Sequence, residues 1–125
     1  MQLDFGSEIP IYMQLAQSIE DDIVNGIFLE DQQIPSTTEI SLHYKINPAT
    51  VGKGFNLLVD EGILYKKRGV GMFVAKGAKQ QLLRKRKNLF FDRYIKAMLE
   101  EAQRLCISKE ELMRMIEEGS EDERN

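Results

Sequence analysis

The stretch INPATVGKGFNLLVDEGILYKKRGVGMFV, residues 46–74, changes from the apolar period of a helix to that of a strand. Asn47 is a favourable helix N-cap and Pro48 suits the first helical turn, so a helix is predicted to begin here. The apolar positions predicted to face the core are Val51, Phe55, Leu58 and Val59. Gly52 and Gly54 lie inside this helix, where each glycine costs about 1 kcal/mol relative to alanine, and close approach to another surface would explain them.

A β-hairpin is predicted after Gly62, because two short apolar runs flank a glycine-rich turn. The runs ILY and MFV would form the strands, and KKRGVG, residues 66–71, would form the turn. Gly69 and Gly71 permit the positive φ angles that tight turns require. The basic residues predicted at the tip of the hairpin are Lys66, Lys67 and Arg68.

Two more helices are predicted before this stretch. Residues 10–25 carry apolar side chains four positions apart, which is typical of an amphipathic helix. Ser36 stands three residues before Glu39, the spacing of a capping box, and therefore predicts a second helix over residues 37–44. The FLEDQQ segment between these helices, residues 28–33, is predicted to be a polar loop.

Beyond the hairpin the pattern is helical again. An amphipathic segment is predicted over residues 78–105. Ser108 and Glu111 repeat the capping-box spacing and predict a last helix that stops at Gly119.

The order of these elements predicts a winged helix-turn-helix, so the expected fold class is mainly α with one small β-hairpin. The winged domain is predicted to span residues 1–76, and a helical tail of two helices is predicted to span residues 77–125. In such a domain the third helix enters the DNA major groove with its N-terminal residues at the base edges. The hairpin, or wing, reaches the neighbouring backbone or minor groove.

Composition excludes several classes of protein. Of the 125 residues 42% are hydrophobic and 30% are charged, so a packed domain is expected rather than disorder. The single cysteine, Cys106, excludes an internal disulfide framework and a cysteine-based zinc site, and it is predicted to be a small buried residue. No apolar run is long enough for a membrane helix and the N-terminus shows no signal pattern, so a cytoplasmic protein without membrane contact is predicted.

Enzyme activity is not predicted either. The sequence has no glycine-rich phosphate loop of the Walker type, no metal-ligand spacing and no catalytic Cys/His pair. His43 is the only histidine, and it has no metal-binding partner in the sequence. We therefore expect neither a cofactor nor a metal ion.

Charge is distributed unevenly along the chain. Residues 1–42 contain eight carboxylates and no Lys or Arg, whereas residues 43–96 contain 13 Lys or Arg and three carboxylates, a net charge of +10. Residues 97–125 carry a net charge of -5, which brings the whole chain to -3. A basic middle inside an acidic chain favours a surface built for a polyanion. The RKRK run, residues 84–87, is compatible with a contact to DNA backbone or with a solvated face.

The residues predicted to contact DNA are small or polar at the start of the third helix and basic in the hairpin. Asn47 and Thr50 can donate hydrogen bonds to phosphates or bases, and Ala49 can contact a thymine methyl group. The predicted set is Ser36, Thr37, Thr38, Tyr44, Lys45, Asn47, Pro48, Ala49, Thr50, Lys53, Lys66, Lys67, Arg68, Gly69 and Gly71.

Four segments stand in the order and spacing of the N-terminal domain of GntR-family bacterial transcription regulators, which the chain resembles over residues 9–75. The segments are IPIYMQLAQSIEDDIVNGIF, IPSTTEI, INPATVGKGFNLLVDEGIL and KKRGVGMFV. The resemblance implies a winged domain that binds operator DNA. The chain departs from the family at Thr38, where an arginine commonly contacts DNA backbone. It departs again in the third helix, where Pro48 or Gly52 stands in place of a common arginine.

About 50 residues follow the hairpin, too few for the effector domain that most GntR regulators carry. This arrangement resembles the YtrA-type subfamily, whose short helical tail serves dimerisation and whose members often control ABC-transporter genes. The tail has more apolar side chains than two isolated helices can bury, which favours an interface with a second copy, while a small-molecule pocket is the alternative use. The residues predicted for dimerisation are Leu89, Phe90, Phe91, Tyr94, Ile95, Met98, Leu99, Leu112 and Ile116.

The sequence leaves two hypotheses of function. The first is a homodimeric, sequence-specific DNA-binding regulator, expected to be a repressor at a palindromic operator of double-stranded DNA. The second is a winged-helix protein-interaction module that binds no DNA. The basic hairpin favours the first, because an interaction module is expected to lose those charges and to show an apolar surface patch. The sequence leaves open whether a small-molecule effector acts on the protein.

Overall fold

A computed structural model describes residues 2–124, and its elements follow the predicted order. Three helices precede an antiparallel hairpin, and helices follow it. The elements are α1 (Ile11–Val24), α2 (Thr37–Tyr44), α3 (Pro48–Asp60), β1 (Leu64–Lys67), β2 (Gly71–Val74), α4 (Ala78–Phe90), a π-helical segment (Phe91–Ile95), α5 (Lys96–Arg104) and α6 (Lys109–Arg124). The predicted fold class, a mainly α winged helix-turn-helix with a small β-hairpin, is confirmed.

The core of the winged domain is formed chiefly by α1, α3 and the strands. Of the four predicted core positions of α3, Val51, Phe55 and Leu58 are buried, and Val59 is half-buried against the core. The other members of the core cluster are Leu15, Ala16, Ile19, Ile23, Ile34, Ile40, Ile46, Ile63, Leu64, Val74, Ala78 and Leu82. Because full burial of one such large apolar side chain contributes about 1.5–3 kcal/mol, this cluster holds α3 firmly against the rest of the domain.

A close approach between α1 and α3 occurs at Gly54. A Cβ atom added there would lie 2.9 Å from the carbonyl oxygen of Tyr12 and 3.2 Å from Cδ2 of Leu15. A Cβ added at Gly52 would meet nothing within 4 Å. Close packing therefore explains Gly54 alone, and Gly52 has open space around it.

Two side-chain caps set the helix-turn-helix. The Oγ of Ser36 accepts a hydrogen bond from the Glu39 N–H at 3.1 Å, and the Glu39 carboxylate accepts one from the Ser36 N–H at 3.3 Å. This is the predicted capping box at the start of α2. The turn after α2 passes through Lys45, whose φ of 57° is left-handed, and Asn47 then caps α3 as predicted.

The hairpin strands extend closer to the tip than the sequence analysis predicted. The register pairs Leu64 with Val74 and Lys67 with Gly71, so Lys67 and Gly71 belong to the strands. The turn proper is Arg68–Val70, and of the three basic residues only Arg68 lies in it. The prediction that all three basic residues lie at the tip was wrong, because the turn contains only three of the six residues of KKRGVG.

The FLEDQQ segment is not a simple polar loop, because its end pairs with β2. The Asp31 N–H donates to the Val74 carbonyl at 2.7 Å, and the Val74 N–H donates to the Gln32 carbonyl at 3.0 Å. The Ile34 N–H donates to the Met72 carbonyl at 3.0 Å. Residues 31–34 therefore form a third, irregular edge of the hairpin sheet, which we call the edge segment.

Contacts divide the chain into two compact units, one ending at Lys85 and one beginning at Arg86. The first contains α1–α3, the hairpin and the start of α4, and the second contains the end of α4, the π-helical segment, α5 and α6. The functional division into residues 1–76 and 77–125 stays a prediction. Over the described part of the chain, no helix combines the length and apolarity needed to cross a membrane.

Two predictions for the second unit were wrong. Helix α6 continues through Gly119 to Arg124, because a helix tolerates an isolated glycine at a cost of about 1 kcal/mol. Cys106 is exposed and has a φ of 57° in the turn after α5, so it is not a buried apolar residue. The predicted cap of the last helix is present, since Ser108 Oγ accepts from the Glu111 N–H at 3.1 Å.

We expect Gly54→Ala to lower the free energy of unfolding, although alanine favours helices, because its Cβ would press on the Tyr12 carbonyl. Overpacking of this kind costs about 1–3 kcal/mol. Gly52→Ala is the matched control, and it should raise stability by up to about 1 kcal/mol because its Cβ meets open space. Urea unfolding measures both, and equal stability of the two variants would contradict the packing argument.

Candidate nucleic-acid interface

The N-terminus of α3 presents small and polar residues to solvent. Asn47, Pro48 and Ala49 are exposed, and Thr50 is half-buried. The Oδ1 atom of Asn47 accepts a hydrogen bond from the Ala49 N–H at 2.8 Å. This bond uses the side-chain oxygen and leaves the amide group of Asn47 as a hydrogen-bond donor. Asn47 therefore combines helix capping with the donor that a phosphate or base contact requires.

Lys53 lies one turn further along α3 and is held by an aromatic ring of α1. Its Nζ atom is 4.2 Å from the centroid of the Tyr12 ring. A cation–π contact at an exposed site contributes about 0.5–1 kcal/mol. Lys53 is exposed, so the Tyr12 ring restricts its side chain while its charge remains accessible to DNA.

The other predicted residues of the helix-turn-helix lie at the two ends of α2. At its start Ser36 and Thr37 are half-buried and Thr38 is exposed. At its end Tyr44 is half-buried and Lys45 is exposed. Ser36 is engaged in the capping box, which confirms its predicted structural role and leaves its contact with DNA a prediction.

The basic residues of the hairpin are exposed. Lys66, Lys67 and Arg68 have no ion-pair partner among the residues that the structure describes. The Nζ atom of Lys67 lies 4.5 Å from the centroid of the Phe73 ring, which restricts its direction. Gly69 and Gly71 have the predicted positive φ angles, 78° in the turn and 145° at the first residue of β2.

Lys85 of the RKRK run has an internal role. The Nζ atom of Lys85 lies 3.6 Å from a carboxylate oxygen of Glu20 and 3.4 Å from one of Glu61. Glu20 is buried, so its charge needs a compensating cation. Lys85 therefore has a structural role in the first compact unit, where it pairs with both carboxylates.

The base of the hairpin is fixed by a polar contact with the edge segment. The Tyr65 hydroxyl donates a hydrogen bond to Oδ1 of Asp31 at 3.0 Å, and Lys76 Nζ lies 3.9 Å from Oδ2 of the same carboxylate. Desolvation raises the pKa of Tyr65, and the hydrogen bond to Asp31 and the charge of Asp31 raise it further. Tyr65 thus keeps its proton and remains a hydrogen-bond donor.

All of the residues predicted to contact DNA lie in the first compact unit. The structure brings their elements into one core, in which α3 contacts both α2 and β1. That these residues form one continuous surface on DNA stays a prediction. No group of His, Cys, Asp or Glu side chains suited to a metal ion occurs in the part of the chain that is described.

All of the residues predicted for dimerisation lie in the second unit. None of them is buried in the single chain. Phe90, Phe91 and Tyr94 are 52%, 54% and 61% exposed, respectively. Leu99 and Ile116 are also exposed, whereas the remaining members are half-buried: Leu89, Ile95, Met98 and Leu112.

The contacts that orient these groups are not evident in the sequence. Tyr12 beneath Lys53 and Phe73 beside Lys67 both join residues that are distant or on different strands, so no local pattern reveals them. The only available signal was an aromatic residue in each of the motifs PIY and MFV.

This fold, with a polar recognition-helix start and a basic hairpin, defines a winged helix-turn-helix protein of the DNA-binding class. The family described as "Bacterial regulatory proteins, gntR family" matches residues 11–74, and the chain belongs to this GntR family. Its members are transcriptional regulators, which agrees with the prediction that the chain is not an enzyme.

Similarity to one relative extends over nearly the whole chain. The HTH-type transcriptional repressor YtrA of Bacillus subtilis is 30% identical over 122 residues, which cover 98% of this chain and 93% of YtrA. This match includes the short tail and confirms the predicted resemblance to YtrA. Two other curated relatives are longer, and the chain spans only 30% and 34% of their lengths.

Solved structures show the same fold. A GntR-family transcriptional regulator from Bacteroides thetaiotaomicron is 34% identical, with a TM-score of 0.73 over 90% of this chain and 98% of that chain. The DNA-binding domain of AraR in complex with operator ORE1 is 36% identical, with a TM-score of 0.53 over 60% of this chain and 94% of that chain. The winged domain is therefore similar to one that has been crystallised on its operator.

The double role of Asn47 gives a test that separates capping from DNA contact. Asn47→Asp keeps an oxygen that can cap α3, so its stability should be close to that of the unmodified protein, whereas Asn47→Ala should lose about 1 kcal/mol. Both variants lose the amide donor and should bind duplex DNA more weakly. Urea unfolding and fluorescence anisotropy measure the two effects. Unchanged DNA affinity in Asn47→Asp would show that the amide group makes no contact.

Proposed function

We propose that the protein is a cytoplasmic, sequence-specific transcriptional repressor that binds a palindromic operator as a homodimer. The observation that carries this proposal is the exposed polar start of α3 in the same domain as a basic hairpin without internal ion-pair partners among the described residues. Donors at the start of a recognition helix suit base edges, and free cations on a wing suit phosphates.

Base contacts and phosphate contacts are assigned to different residues, because their side chains differ in chemistry. The amide group of Asn47 and the hydroxyl of Thr50 are short donors, which fits the direct reading of bases in the major groove. Lys45, Lys53, Lys66 and Arg68 carry exposed cations on long side chains, which fits contacts to phosphates that supply affinity without sequence preference. Loss of a base contact should therefore reduce specificity, and loss of a phosphate contact should weaken binding to all sequences alike.

A homodimer is supported by the exposed apolar residues of the second unit. Several large side chains, among them Phe90, Phe91 and Tyr94, are more than half exposed in one chain. The Phe90 and Tyr94 rings lie 5.4 Å apart, centroid to centroid, and exposed apolar patches mark interaction sites in soluble proteins. Burial between two copies would remove it from water, and a two-fold symmetric dimer would match two related half-sites.

The repressor role is supported by similarity to proteins that carry this name, including YtrA, which covers nearly the whole chain. The resemblance to the YtrA-type subfamily extends the proposal to ABC-transporter genes as targets. The alternative, a protein-interaction module that binds no DNA, is disfavoured because its wing would not need Lys66, Lys67 and Arg68 to be free and exposed.

The first expected result is strong salt dependence of binding to duplex DNA. Each phosphate that the protein neutralises adds about -0.9 to the slope of log affinity against log salt. Lys66→Ala and Arg68→Ala should each reduce this slope by about one unit, because each removes one free cation. Lys109→Ala, in α6 and outside the predicted contacts, is the control. An affinity that does not change with salt would favour the interaction module instead.

The dimer is tested by Phe91→Asp in the full chain. A carboxylate at a buried apolar interface is costly, so this variant should be monomeric at micromolar concentration while its helix content is unchanged. Phe5→Asp is the matched control, since Phe5 is 66% exposed and belongs to the first unit. Light scattering gives the mass of each. A Phe91→Asp protein that remains dimeric would place the interface elsewhere.

A further inference from the structure

A side chain of the edge segment holds the turn of the hairpin. The Nε2 atom of Gln33 donates a hydrogen bond to the carbonyl oxygen of Val70 at 2.9 Å. Val70 is the last residue of the turn Arg68–Val70, and its own side chain is 59% exposed. The bond therefore fixes the main chain of the turn, two residues after Arg68, from outside the hairpin.

Gly71 leaves the space that this amide occupies. A Cβ atom added at Gly71 would lie 2.6 Å from Nε2 of Gln33. The φ of Gly71 is 145°, a conformation that side chains rarely adopt, although the residue pairs with Lys67 across the hairpin. The glycine thus serves two needs, a permissive backbone and room for the Gln33 side chain.

The geometry of the turn explains why outside support is useful. The Val70 N–H donates to the Lys67 carbonyl at 2.9 Å, which closes a four-residue turn. Of its two central residues only Gly69 has a positive φ, 78°, which is the pattern of a type II turn. The register leaves three residues, Arg68–Val70, between the paired residues Lys67 and Gly71, so the hairpin lacks the two-residue I′ or II′ loop whose twist matches that of the strands. The hydrogen bond from Gln33 adds a contact to this turn from a third segment.

The edge segment, which carries Gln33, is anchored to β2 and to the core. Gln33 pairs with Phe73 of β2 in an isolated antiparallel bridge, and the next N–H, of Ile34, donates to the Met72 carbonyl at 3.0 Å. Ile34 is buried in the core, and Ser36, two residues later, caps α2. The residue that holds the wing turn is therefore continuous with the start of the helix-turn-helix.

We propose that Gln33 is a positioning residue for DNA binding, which holds the wing turn in register with the helix-turn-helix so that Arg68 meets the DNA backbone. This inference rests on the proposed function. Gln33 acts through its hydrogen bond to Val70, so its loss should weaken wing contacts and leave base reading by α3 unchanged.

The first test needs no DNA. In the full chain, Gln33→Leu removes the donor at similar size and without a change of charge. We expect the Val70 amide to exchange its hydrogen about fivefold faster, because one hydrogen bond that holds its turn is lost. Gln17→Leu is the matched control, since Gln17 is an exposed residue of α1. An exchange rate of Val70 that is unchanged in Gln33→Leu overturns the inference.

The second test uses duplexes that the unmodified protein selects from random DNA. Gln33→Leu should bind them about fivefold more weakly and should lose protection of the backbone beside the core half-site, while selecting the same consensus bases. Its thermal unfolding should match that of Gln17→Leu. If Gln33→Leu no longer selected the consensus bases, or unfolded at a lower temperature than Gln17→Leu, the role of Gln33 would be merely structural and the inference would be overturned. Unchanged affinity and protection would overturn it while the proposed function stands, whereas failure of the unmodified protein to enrich any duplex would refute both.

Discussion

The position of the recognition helix depends on the contact between Gly54 and the main chain of α1. Only a residue without a side chain allows α3 to come this close to the Tyr12 carbonyl. At this separation the apolar stripe of α3 reaches the core, and Lys53 reaches the face of the Tyr12 ring. The start of α3 lies beyond the crossing and remains exposed, which is what an element that must enter a groove requires.

Much of this arrangement could be predicted from sequence, because local chemistry determines it. The capping box of Ser36 and Glu39 and the N-cap at Asn47 each involve residues within three positions of one another. The stripe of α3 follows from the helical period alone. Such signals fixed the start of α2 and the core face of α3, and together with the four matched segments they identified the class of fold.

The features that sequence could not predict depend on tertiary pairing. The edge segment has a polar composition typical of a loop, but its backbone pairs with β2, and Asp31 adopts a φ of 62° there. Nothing near Asp31 in sequence indicates the partner strand. Gly119 presents the opposite case, since a glycine there predicts the end of the helix but α6 continues through it. A single glycine costs about as much as one net hydrogen bond, so neighbouring residues decide the outcome.

The structure also explains how an acidic chain can present a basic surface. Two carboxylates of the N-terminal half are engaged within the same unit, since the buried Glu20 pairs with Lys85 and the exposed Asp31 accepts a hydrogen bond from Tyr65 and lies near Lys76. The cations at the hairpin have no such partner among the described residues. Because exposed charges more than about 8 Å apart are largely screened at physiological salt, distant carboxylates cancel little of the field at the wing. Net charge is therefore a poor guide to DNA binding in this protein. What matters is which lysines are held by internal carboxylates, as Lys85 is, and which are free.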